Sequence, residues 1–283
     1  MAISLGVNTW VWVSPFKTAD TNLFPKIKRM GFDTVELAME DPSLVNARIV
    51  AAALRDAGLS ATMVGAFGPS RDMSHEDRRV QQEALDYIRT CVNMCEQMGI
   101  RIFAGPLYSA VGKARLLPPE ERARERDRSI SNLKKAAAMA FDYGVTLGLE
   151  PLNRFETDMV NTHQQALAMV RAVGSRSLQV HLDTFHMNIE EKDTEAAVKA
   201  CKGRLCHVHA SESDRGTPGT GQVDWQGLAR GLKSIRYNGS VVIETFTPAV
   251  KEIAKAAAIW RPLAQSQDVL ARDGFKFLRK TLH

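Results

Sequence analysis

Residues 145–156 read VTLGLEPLNRFE, and three later stretches repeat the design: 178–186 LQVHLDTFH, 205–212 LCHVHASE and 241–246 VVIETF. Each is a short apolar run that ends in, or leads into, a side chain able to bind metal: Glu150, Asp183, His209 and Glu244. These residues lie roughly thirty positions apart, about the length of one strand–helix unit. The spacing predicts neighbouring parallel strands that send ligands to one point. A polar residue at one strand end is common and means little alone; four in step carry weight. Three carboxylates and one imidazole suit Mn²⁺, Mg²⁺ or Co²⁺ better than a thiolate-seeking cation.

Outward from these runs the same alternation fills the chain. Eight strand-like stretches are recognisable: ISLGVNT, TVELAM, SATMVGAF, RIFAGPL, VTLGLEPL, LQVHLDTF, LCHVHAS and SVVIETF. Helical patterns separate them at 23–30, 43–57, 75–98, 120–143, 162–173, 194–200 and 225–234, with a further stretch from 249 onward. Several of these patterns stop at a glycine followed by a new strand: Gly31, Gly58, Gly99 and Gly144. Glycine accepts the left-handed conformation at a helix C-terminus, so the punctuation is mechanical. Eight βα units predict a TIM (β/α)8 barrel. The rival is a doubly wound open sheet, but no G-x-G-x-x-G follows the first strand. No linker or composition break divides residues 1–283, so one domain is expected.

Composition narrows the class. The 283 residues are 45% hydrophobic and contain no apolar run long enough for a membrane span. The start, MAISLGVNTW, lacks a basic n-region, so a cytoplasmic protein is expected. The four cysteines need no disulfide framework; Cys91 with Cys95, and Cys201 with Cys206, read as small buried side chains. The net charge is +5, yet basic residues are interleaved with acids. The densest run, PPEERARERDR at 118–128, places Glu121 and Arg124, and Glu125 and Arg128, at i,i+3 spacing. That is a solvated helix face rather than a phosphate-binding patch, so no nucleic acid partner is expected.

The stretches GLEPLNRFETDMVNT, HLDTFHMNIEE, HVHASESDRGTPGTGQVDW and VVIETF resemble the ketose 3-epimerases, which act on sugars such as D-tagatose, D-psicose (allulose) and L-ribulose. These belong to the xylose isomerase-like TIM barrels, and the resemblance covers essentially the whole chain. It implies that Glu150 and Glu244 are paired catalytic glutamates that also bind the metal, and that Asp183 and His209 complete its ligands. It implies Mn²⁺, with Co²⁺ or Mg²⁺ as alternatives, and a homodimer or homotetramer acting on a free ketose. Glu156, His186 and Arg215 match residues that hold the sugar near O1 and O2. Trp12, in NTWVW, and Phe246 match pocket-wall positions. Gly65 with Ala66, and residues 105–108, fall where the first half of the wall is expected.

The chemistry asks for such a set. Epimerising C3 removes a proton beside a carbonyl and returns one to the opposite face. A metal polarising the carbonyl stabilises the enediolate, and two acid–base groups must face each other across it. Individual residues keep more than one reading. His186 is a donor to O2 or a capping or core histidine. Arg215, in the Gly- and Pro-rich loop ESDRGTPGTG, reaches a substrate oxygen or is a solvated loop residue. Glu156 orients a terminal hydroxyl or lies on the surface. Trp10, Trp12 and Phe246 stack on the sugar or pack in the core. His207, two residues before His209 on the same strand face, reads as core packing rather than a fifth ligand. Competing functions are an aldose–ketose or hydroxypyruvate isomerase on the same barrel, a non-catalytic sugar-binding barrel, and an endonuclease IV-like DNA repair hydrolase. The last uses a histidine-rich multi-zinc site, and only seven histidines occur here.

Overall fold

The structure, a computed structural model, describes residues 3–282. Eight parallel strands close into a barrel in chain order: β1 (Ser4–Asn8), β2 (Thr34–Met39), β3 (Ser60–Gly65), β4 (Ile102–Gly105), β5 (Thr146–Leu149), β6 (Leu178–Asp183), β7 (Leu205–Ala210) and β8 (Ser240–Ile243). β8 pairs with β1, so among the described residues no edge of the barrel is left unpaired. The helices are α1 (Phe24–Arg29), α2 (Ala47–Ala57), α3 (Arg78–Met98), α4 (Pro119–Asp142), α5 (His163–Val173), α6 (Thr184–Glu190), α7 (Thr194–Ala200), α8 (Trp225–Ser234), α9 (Lys251–Ala256) and α10 (Gln267–Leu282). The expected TIM barrel is therefore present. Among the described residues, no helix is long and apolar enough to cross a membrane.

Local chemistry sets the element boundaries. Asn46, Asp77 and Thr162 each cap a helix by accepting from backbone N–H groups of its first turn. Such a cap contributes about 1 kcal/mol. This is why α2 and α3 start later than their apolar periodicity: the cap lies inside the periodic stretch. Gly58 and Gly99 close α2 and α3 at φ of 63° and 73°, where a side chain would be strained. The sixth strand is shorter than expected. It stops at Asp183, whose Oδ1 accepts the Phe185 N–H at 2.7 Å and opens α6 immediately. The stretch after residue 249 splits into α9 and α10.

Outside the barrel wall the helices bury one apolar stripe each, with Ile27, Leu54, Ile88, Leu133, Leu228 and Leu270 all essentially inaccessible. Each such side chain contributes about 1.5–3 kcal/mol. The cysteines are free; Cys91, Cys95 and Cys201 are buried, as expected, whereas Cys206 is only half-buried. One surface expectation fails. Glu125 does not pair along its helix with Arg128; it meets Lys113 at 3.1 Å and Arg115 at 2.8 Å. Arg128 instead donates to the Ser74 carbonyl at 2.8 Å. The loop after β4 lies over the start of α4 and offers partners that helical spacing does not reveal.

The barrel interior is not uniformly apolar. Register places Asn8, Glu36 and Thr62 side by side on β1, β2 and β3. Opposite, it pairs His181 with His207 and Asp183 with His209 on β6 and β7. All seven are buried.

Candidate active site

Glu150 follows the last residue of β5, Asp183 ends β6, His209 lies one residue before the end of β7, and Glu244 follows β8. The C-terminal rim of the barrel brings the four together. His209 Nδ1 is 3.3 Å from Glu244 Oε1, 3.8 Å from Glu150 Oε1 and 3.9 Å from Asp183 Oδ2. All four residues are buried, at most 4% exposed. His209 Nδ1 has no hydrogen-bond partner. A buried ring nitrogen without a partner, facing three carboxylate oxygens within 4 Å, fits a divalent cation held by these residues. Ligand atoms of Glu150, Asp183 and His209 all lie within 4.8 Å of one another.

The electrostatics are asymmetric. Burial pushes the Glu150 carboxyl well above its usual range; Glu244 and Asp183 add to this, against His209 and Arg215. Burial likewise raises Asp183 to about 6, with Glu244 adding and Arg215 opposing. Burial would also raise Glu244, but His209 and Arg215 outweigh it and bring the carboxyl down to about 2. The difference follows contact geometry: Glu244 has His209 Nδ1 at 3.3 Å and Arg215 Nη1 at 2.5 Å, whereas Asp183 has them at 3.9 Å and 2.9 Å. Glu150 has no such partner at salt-bridge distance from an arginine among the described residues.

Arg215 is 6% exposed and is not a solvated loop residue. Its guanidinium lies 4.0 Å over the Phe185 ring and 5.2 Å from that of Phe246. His186 is also buried, and its Nδ1 accepts the Asn153 backbone N–H at 3.0 Å. That contact puts the ring hydrogen on Nε2. Burial, then Arg215, keep the His186 ring neutral by lowering its pKa. His186 Nε2 and Arg215 Nη2 are thus two donors 3.3 Å apart. Such a pair is suited to an oxygen that accepts from both. Glu156 accepts from Asn153 Nδ2 at 2.7 Å, so one asparagine steadies both His186 and Glu156.

These groups open on a cavity of about 570 Å³, whose lining includes Glu150, Glu156, His186, Arg215, Glu244 and Phe246. Trp10, Gly65, Ala66 and Pro106 also line it. Trp12 is placed differently from the expectation. The short 3-10 turn Thr9–Val11 turns Trp10 toward the cavity, 5.2 Å from Phe246. Trp12 faces α10 instead, donating to Asp268 Oδ1 at 2.6 Å beneath the Lys26 ammonium. Leu107 and Tyr108 are fully buried, and Tyr108 donates to the Val160 carbonyl at 3.1 Å. His207 is buried below the rim, its Nε2 2.6 Å from Glu36 Oε2.

Three residues that sequence reasoning did not single out prove central to this geometry: Glu36, Asn153, and Glu212, whose carboxylate accepts from Ser213 N, Gly219 N, Val223 N and Trp225 Nε1 in the loop that carries Arg215. A lone carboxylate inside the apolar strand TVELAM was the available signal for Glu36. Nothing in the local sequence marks the other two.

The sequence profile of the xylose isomerase-like TIM barrels matches residues 24–281. A probable ketose 3-epimerase of Synechocystis sp. is 33% identical over 279 residues, which cover 99% of this chain and 96% of that protein. The chain belongs to the ketose 3-epimerase family of these barrels. It is accordingly an isomerase of the epimerase class. The ketose 3-epimerase of Arthrobacter globiformis is 32% identical, over 99% of this chain and 97% of its own length. The structure of D-allulose 3-epimerase from Methylomonas sp. in complex with D-allulose superposes with a TM-score of 0.93. It is 28% identical and covers 99% of this chain and 97% of its own.

Proposed function

We propose that this epimerase interconverts free ketoses at C3 through an enediolate, with Glu150 and Glu244 as the two acid–base groups. The pairs concerned are of the type D-tagatose/D-sorbose, D-fructose/D-psicose and L-ribulose/L-xylulose. The observation that carries this reading is the placement of Glu150 and Glu244 after β5 and β8, with His209 Nδ1 within 4 Å of both. Family relatives named for D-allulose and L-ribulose support the substrate class.

A divalent cation held by Glu150, Asp183, His209 and Glu244, Mn²⁺ with Co²⁺ or Mg²⁺ as alternatives, supplies the Lewis acidity that makes C3–H removable. One glutamate takes the C3 proton and the other gives a proton to the opposite face, the roles exchanging with the starting epimer. His186 Nε2–H and Arg215 donate to O2, and their bonds strengthen as negative charge builds there. Glu156 accepts from a hydroxyl near O1. Trp10 and Phe246 supply the apolar wall against which the carbon skeleton rests. A single domain, from the unbroken composition, a homodimer or homotetramer, from family resemblance, and a cytoplasmic location complete the reading.

The test is a panel of ketohexoses and ketopentoses given to purified protein with Mn²⁺ and again after chelation. The expected result is 3-epimer formation that chelation abolishes and Mn²⁺ or Co²⁺ restores. Full activity in protein shown by elemental analysis to be metal-free overturns the metal assignment. Accumulation of aldose in place of the 3-epimer overturns the reaction.

A further inference from the structure

Glu36 lies in the middle of β2 with its side chain turned into the barrel and no exposed surface. A buried carboxylate there is costly unless its oxygens are satisfied. Asn8 Nδ2 donates to Oε1 at 2.9 Å and Thr62 Oγ1 to Oε2 at 3.0 Å. From the far wall, His209 Nε2 reaches Oε1 at 2.6 Å and His207 Nε2 lies 2.6 Å from Oε2. Glu36 is thus gripped from β1, β3 and β7 at once. Its carboxylate cannot rotate without giving up several of these contacts.

The consequence falls on His209. A neutral imidazole carries one N–H. Glu36 accepts only, so the hydrogen belongs on Nε2. Nδ1 is then a lone pair directed at Glu150, Asp183 and Glu244. We propose that Glu36 is a positioning residue for the metal site: it fixes the tautomer and ring angle of His209, with hydrogen bonds from Asn8 and Thr62 holding Glu36 in turn and His207 packed against its Oε2. Carboxylates behind a ligating histidine do this in metal sites generally, and removing one typically weakens metal binding 10–100-fold. The three N-terminal strands, which contribute none of the four ligands, thereby set the geometry of the ligand on β7. This inference rests on His209 being a ligand, as proposed above.

The experiment measures Mn²⁺ dissociation constants without sugar, by titration of chelator-stripped protein. The variants are Glu36→Gln, His209→Gln and the double substitution. The expected result is about 10–100-fold weaker binding for Glu36→Gln, and no more than about twofold further loss when it is added to His209→Gln. Thr62→Val withdraws one hydroxyl from Oε2 and is the milder probe if Glu36→Gln does not fold. It should weaken binding a few-fold, again only while His209 is present. Unchanged affinity in Glu36→Gln overturns the inference, as does an equal loss with and without His209, which would mean general loosening. If His209→Gln alone binds Mn²⁺ as tightly as the parent, the ligand assignment beneath it fails instead.

Discussion

Replacing Glu212 by Gln should loosen the loop that carries Arg215. Glu212 follows β7 by one residue beyond Ser211 and is fully buried. Its Oε1 accepts from Ser213 N at 2.8 Å and Val223 N at 3.2 Å, and its Oε2 from Gly219 N at 2.8 Å and Trp225 Nε1 at 3.0 Å. One carboxylate therefore ties both ends and the middle of the connection between β7 and α8. Arg215 sits within it at φ 64°, a left-handed conformation that a non-glycine residue keeps only when its surroundings hold it. Gln keeps the shape but turns one oxygen into a donor, so two of the four N–H groups lose their acceptor. A hydrogen bond to a charged group contributes about 1.5–3 kcal/mol, so the loss should be about 3 kcal/mol after partial relaxation. For a chain of this size that corresponds to a fall in Tm of about 5 °C. The N–H donors also outweigh burial and hold the Glu212 carboxyl below its ordinary 4.5. Its contribution is therefore present above that range and is lost as pH falls through the folded-state value. Urea unfolding of parent and variant should differ most near neutrality and converge in acid. Turnover should fall with stability, because Arg215 loses its fixed position. Stability within about 1 kcal/mol of the parent at neutral pH, with unchanged turnover, would refute the claim that Glu212 anchors this loop.

Glu150→Gln and Glu244→Gln should each lower turnover at saturating Mn²⁺ at least about a hundredfold, the lower range for losing an acid–base group; near-normal turnover removes that residue from proton transfer. Trp10→Ala should raise KM by exposing the cavity wall, whereas Trp12→Ala should leave KM and kcat near the parent values and cost stability at the α10 contact. Steady-state kinetics with the preferred ketose separates the two, and a larger kinetic effect from Trp12 would reverse their assignment.

The barrel and the cluster of carboxylates and histidine at its rim were legible because both rest on repetition. Eight strand–helix units recur, and the proposed ligands Glu150, Asp183, His209 and Glu244 stand at matching places in successive units. Local caps such as Asn46 and Asp77 shifted helix starts by a few residues without disturbing that rhythm. What stayed hidden depends on contacts between distant segments. Glu36 acquires its meaning only when barrel closure brings His207 and His209 across to it, about 170 residues away in sequence. Glu212 looked like part of a polar loop until the loop folded back over it. The choice between Trp10 and Trp12 turned on a single 3-10 turn at Thr9–Val11, which residue type alone does not determine. Asn153 lay inside a recognised stretch, yet its role of steadying His186 and Glu156 together needs three-dimensional placement.

The central claim is that a proton leaves C3 to one glutamate and another arrives from the second. Running the reaction in D₂O and locating the label by NMR tests it most directly. The predicted product is the 3-epimer with deuterium at C3, the carbonyl still at C2 and no aldose. An unlabelled 3-epimer would contradict the two-base mechanism, and label at C1 with aldose formation would place the chemistry between C1 and C2 instead.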